Sequence, residues 1–194
     1  MLAQSDEAYS ETYPKPTALT EEGMSRIEDA FVESIKRCKQ IGCKQIPNKH
    51  CHALFKDSTP AVDFVEIHFA HGYLFHTFLS PISNTRSDEY GGASLYDRMR
   101  FPLQVAKACR EAWDGPLFVR ISASDFAQEL GEEGSEESGW KWWGIEQSKA
   151  LVGELEKVGI DLVDVSSGGL WEREKMEAKP GYNVGVFSSA LSTR

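Results

Sequence analysis

The chain has 194 residues, with 21 Lys and Arg against 30 Asp and Glu, giving a formal net charge of −9. That acidic balance excludes a duplex-binding surface, which needs clustered cations to displace counterions from phosphate. At 41% hydrophobic and 26% charged residues the composition is that of an ordinary soluble domain with one core. There is no run of about 18 apolar residues, as a membrane span requires.

Met1 to Ser10 are polar and acidic, without the apolar core of a signal peptide. The four cysteines form no dense framework, which predicts reduced thiols and a cytoplasmic setting. Residues 1–19 read as an extended lead-in with Pro14 and Pro16. Thr20 suits an N-cap, followed by Glu21 and Glu22. Met24, Ile27, Phe31, Ile35 and Cys38 then recur at helical steps and predict an amphipathic helix ending near Gly42. Residues 44–62 break the rhythm with two prolines and the cluster His50, Cys51, His52, and read as an irregular insert.

A short β-rich run covers 63–68, and a polar loop with Tyr90-Gly91-Gly92 spans about 80–94. Ser94 suits the cap of a second helix, buried through Met99, Val105, Ala106, Cys109 and Trp113. Pro102 inside it predicts a kink or a late start, since an interior proline costs about 3 kcal/mol. Residues 117–122 form a second strand, whose apolar run predicts cover on both faces. An acidic loop over 127–139 leads to a third helix with Ile145, Leu151, Val152, Leu155 and Val158 on one side and Gly159 past its end. Residues 160–165 form a third strand ending in Ser166-Ser167-Gly168-Gly169. The tail from Pro180 has little pattern. Strands alternating with amphipathic helices predict an α/β fold with a parallel sheet. The domain spans 20–187 on this reading, with 188–194 as a tail.

In parallel α/β folds, ligands sit at the carboxyl ends of the strands. Three polar clusters fall there: His68 with His71 and Tyr73; Arg120 with Ser122, Ser124 and Asp125; and Ser166 to Gly169. Imidazole N–H groups can hold a carbonyl or its developing oxyanion, and a phenol within reach can deliver a proton. An Arg in an apolar strand needs an anionic partner, either a ligand or Asp125 or Asp164. A metal is the competing reading of His68, His71 and His76, although their spacing is not diagnostic. Cys43, His50, Cys51 and His52 offer a second thiol and imidazole cluster that does not match zinc spacing. Trp140, Trp142 and Trp143 read as core or helix cover.

The stretches VEIHFAHGYLFHTFLSPISNTRSDEYGG (65–92), DRMRF (97–101), PLFVRISASDF (116–126) and DLVDVSSGGL (161–170) closely resemble the Old Yellow Enzyme family. The resemblance implies a TIM (β/α)₈ barrel with FMN at its C-terminal rim. It implies transfer of hydride from NAD(P)H through FMN to an activated alkene. By resemblance, His68 and His71 hold the substrate's carbonyl or nitro oxygen, Tyr73 protonates the α-carbon, and Arg120 lies against the flavin ring. The three strands match the family's fourth to sixth, so the expectation is a partial barrel whose open sheet edges favour self-association. Phe69 stands where the family has a small residue, which predicts crowding of the substrate site. The expected partner is a small activated alkene, with no nucleic acid and no membrane. A non-catalytic fragment or pseudoenzyme of the family is the alternative, and a metal-dependent barrel hydrolase a third reading.

Overall fold

The computed structural model describes residues 2–6, 12, 14–40 and 62–174. The cluster Cys43, His50, Cys51 and His52, nearly all of the 44–62 insert, and the C-terminal tail lie outside the described residues. Two short parallel strands, β1 (Leu2–Ala3) and β2 (Thr17–Ala18), pair within the lead-in. Arg86 ties this segment down, donating to Gln4 O at 2.9 Å and Leu19 O at 2.7 Å. Helix α1 (Glu21–Gln40) follows, capped as expected: Thr20 Oγ1 accepts from the Gly23 N–H at 3.1 Å.

The main sheet has three parallel strands in the order β3 (Val65–Phe69), β4 (Leu117–Ser122) and β5 (Leu162–Ser166). The register aligns His68, Arg120 and Asp164 in one row. Strand β5 begins two residues later than its apolar pattern suggests. Asp161 is spent on the neighbouring chain, accepting from the Leu117 N–H at 2.8 Å and pairing with Arg110 at 3.0 Å.

Helices α2 (Leu74–Leu79), α3 (Leu95–Ala112) and α4 (Ile145–Val158) connect the strands. Ser94 Oγ accepts from the Asp97 N–H at 3.3 Å, so α3 starts at its expected cap. Pro102 does not delay it: the helix runs continuously from Leu95 with Pro102 buried inside. Burial of Met99, Phe101, Val105, Ala106 and Cys109 offsets the lost backbone bond. The buried Arg98 bonds three carbonyls, Leu79 O, Gly92 O and Ala93 O, which links α3 to the preceding loop. At the end of α4, Gly159 adopts φ 94° and closes the helix, as its position predicts.

Ile67, Phe69, Leu117, Val119 and Ile121 point into one core shared with the helices. Trp143 is part of that core and donates its indole N–H to Ser122 O at 2.8 Å. Among the described residues, none covers the opposite face of the sheet. Strand β4 is therefore not covered on both faces as its composition suggests: Phe118 and Arg120 alternate with the buried set and are only half-buried. Phe64 is 51% exposed and stacks on Phe118 at 4.8 Å, beside the equally uncovered Leu162.

Candidate active site

The site stands at the carboxyl ends of the three strands, on and above the open face. His68 is the next-to-last residue of β3, with its ring outward, and its Nδ1 accepts from the Ala70 N–H at 3.3 Å. The chain then turns through two consecutive left-handed residues, His71 at φ 58° and Gly72 at φ 72°. A histidine at positive φ is strained, and tertiary contacts must hold it there. Three do. The His71 N–H donates to Ser122 Oγ at 2.9 Å, and Ser122 passes the link on to Gly168 O at 2.9 Å. His71 Nε2 meets Ser166 Oγ at 2.6 Å. Gly72 packs so tightly on the Gly169 carbonyl that no side chain fits between the two loops.

The turn gathers the aromatic groups. The His68 and His71 rings lie 5.3 Å apart edge to face, and the Tyr73 ring stands 5.4 Å from His68. Tyr73 is 68% exposed, so its phenol is open to an incoming molecule. An apolar pocket of about 260 Å³ lies beside them, lined by Phe31, His68, Tyr73, Leu74 and Phe75. Burial holds the His71 imidazole below its ordinary pKa, and the neighbouring His68, Arg120 and His76 side chains act in the same direction.

Arg120 pairs with Asp164 across the row at 3.3 Å. The contact is off the line of a hydrogen bond, which leaves the buried Nε without a properly aimed acceptor. The other candidate partner, Asp125, is engaged elsewhere. Its carboxylate accepts from Ser80 Oγ at 2.6 Å and the Trp143 N–H at 2.8 Å. Ser124 also turns inward, its hydroxyl accepting from the Phe126 N–H at 3.0 Å.

Phe69 does not crowd the site, contrary to the expectation from the motif. It lies on the core side of β3 against Phe75, because adjacent strand residues face opposite ways. His76 is turned away from His68 and His71 and buried against Asp125 at 2.9 Å. No group of three metal-ligating side chains exists among the described residues. The geometry thus brings together His68, His71, Tyr73, Arg120, Ser122 and Ser166. Of the two acidic partners the sequence offers Arg120, it selects Asp164, and it adds one feature with little sequence signal, the His76–Asp125 pair beneath the turn.

Comparison with known proteins identifies the family of the chain. The family model of the NADH:flavin oxidoreductase / NADH oxidase family matches residues 1–167. The chain belongs to that family, as its likeness to the Old Yellow Enzymes implies. It is 36% identical over 184 residues to an NADPH dehydrogenase of Geobacillus thermodenitrificans, covering 95% of this chain and 44% of that protein. It is 35% identical over 184 residues to an NADPH dehydrogenase of Bacillus subtilis, covering 95% of this chain and 45% of that one. The chain therefore spans less than half the length of these curated relatives. Among solved structures, histamine dehydrogenase from Rhizobium sp. 4-9 superposes with a TM-score of 0.60 at 25% identity, over 88% of this chain and 21% of that one. A 2-naphthoyl-CoA reductase complex shares the fold, with a TM-score of 0.69 at 21% identity over 97% of this chain and 25% of that one.

Proposed function

We propose that this chain carries the substrate rim of an FMN-dependent NAD(P)H oxidoreductase that reduces activated alkenes. The observation that carries this is the convergence of His68, His71, Tyr73 and Arg120 above one open sheet face. The three strands then correspond to the fourth to sixth of a (β/α)₈ barrel, whose ligands bind at this end. Arg120 fits the cofactor: its buried Nε lacks an aimed acceptor and its side chain borders the open face. Arg120 would hold the flavin ring through its acceptor edge. FMN, when bound, supplies hydride transfer between NAD(P)H and the alkene.

The chain's own residues do the rest. His68 and His71 hold the substrate's carbonyl or nitro oxygen. The oxygen replaces the Ser166 hydroxyl at His71 Nε2, and a neutral imidazole donates to it. Tyr73 gives its phenolic proton to the α-carbon. Cys38 and Cys109 are free thiols, in keeping with a cytoplasmic setting.

The test is an alkene-dependent assay. With FMN and NADPH supplied, an α,β-unsaturated ketone should be reduced, and a His68→Ala/His71→Ala pair should abolish that reduction. Nicotinamide oxidation indifferent to the ketone would overturn the alkene assignment.

A second reading has its own observation. Phe64, Phe118 and Leu162 leave an apolar strip on the open face. A non-catalytic member of the family that docks through this face would look the same. Failure of FMN to bind, with a stable complex formed instead, would favour it.

A further inference from the structure

The His71–Tyr73 turn is the part of the site that the backbone resists most, yet the groups that fix it lie one layer below. His76 lies in the first turn of α2 and is wholly buried, with 0% of its surface exposed. Its Nδ1 accepts from the Gly72 N–H at 3.0 Å. Its Nε2 lies 2.9 Å from Oδ1 of Asp125, which is also 0% exposed. That approach is off the line of a hydrogen bond, and neither atom has a hydrogen-bond partner elsewhere, so the link between them is one of close charge contact. The remaining oxygen of Asp125 is held by Ser80 and by the Trp143 backbone. A buried imidazole with one nitrogen accepting has its proton on the other. Asp125 Oδ1 is the charged group beside that other nitrogen, and its negative charge favours the proton there. The effect passes from the β4–α4 connection, through His76, to the amide between His71 and Tyr73.

We propose that His76 and Asp125 form a positioning pair, which fixes one imidazole tautomer and thereby holds the Gly72 amide and the His71–Tyr73 turn in substrate-facing shape. The pair touches no substrate or cofactor. Its importance for function rests on the reading of His71 and Tyr73 given above, but the pinning itself does not.

The test uses the full chain without cofactor or alkene, so its outcome is independent of that reading. Nitrogen-15 spectra of the imidazoles should show the His76 proton on Nε2 and a hydrogen-bond coupling from the Gly72 amide to Nδ1. His76→Leu should speed Gly72 amide exchange at least tenfold and shift the His71 ring signals, leaving the Trp143 indole protected. His76→Asn, whose carbonyl oxygen replaces Nδ1 as acceptor, should restore most of the Gly72 protection. A His76 proton found on Nδ1 would overturn the proposal, and that measurement needs no variant. So would unchanged Gly72 exchange in a folded His76→Leu protein. A uniform speeding of core amides would also overturn it, assigning His76 to general stability.

Discussion

His71 is held in an unfavourable backbone conformation and an environment unfavourable for charge, and both suit the neutral donor role proposed for it. Burial disfavours its imidazolium, and the neighbouring His68, Arg120 and His76 act in the same direction, while Asp164 opposes them. Arg120→Gln should therefore raise the His71 pKa and Asp164→Asn should lower it further. An NMR titration of the His71 ring reads both shifts, and shifts of the same sign would contradict this electrostatic picture. The stability consequence has a definite sign. The folded chain gives up the His71 proton below the ordinary value of 6.5. The unfolded chain thus binds more protons in the window just below that value, and stability falls as pH drops through it. Tyr73 offers a cleaner activity test, because it is exposed and supports no core. Tyr73→Phe should slow alkene reduction by about 10²- to 10⁴-fold while leaving nicotinamide oxidation by the flavin intact. Stopped-flow measurement of the two half-reactions separates these effects. His68, His71, Tyr73 and Arg120 are legible in sequence because they cluster at strand ends. The His76–Asp125 pair is not, since its members are far apart in the chain and only the fold brings them together.

The elements follow the same logic of what a local pattern can reveal. Helices α1, α3 and α4 are legible because each has one apolar face and a polar cap or a glycine stop. Helix α2 carries no such pattern: Phe75, His76, Phe78 and Leu79 are all buried, so its six residues show no polar side from which to read a period. The exposure of one face of β4 is likewise invisible in its apolar run, because it depends on what lies across the sheet. Two substitutions test the element-scale account. Ser94→Ala should cost about 1 kcal/mol through loss of the α3 cap, read as a lower urea midpoint. Gly72→Ala should do more local harm, since its methyl would collide with the Gly169 carbonyl at a residue already at φ 72°. It should part the β3 and β5 loops and remove the His71–Ser166 contact. Retention of that contact in a Gly72→Ala protein would show the loops to be less tightly packed than described.

At the scale of the whole molecule, a covered face and an open face give the sheet two different characters. Among the described residues, helices pack on one side, while Phe64, Phe118 and Leu162 leave an apolar strip exposed on the other, beside the His68–Arg120–Asp164 row. Three parallel strands cannot close a barrel, and within the described sheet β3 and β5 each have one unpaired edge. For the purified 194-residue chain we propose concentration-dependent self-association, measured by sedimentation velocity, which Leu162→Lys should weaken. A monomer at all concentrations with a sharp two-state melt would contradict it. The central claim, however, is that the open face and its rim are built for a flavin, and it is tested most directly by titrating the purified chain with FMN. The account predicts saturable binding with a shifted visible spectrum and altered flavin fluorescence, weakened at least tenfold by Arg120→Leu. An unshifted spectrum up to high micromolar FMN would contradict it and leave His68, His71 and Tyr73 as a rim with no flavin to face.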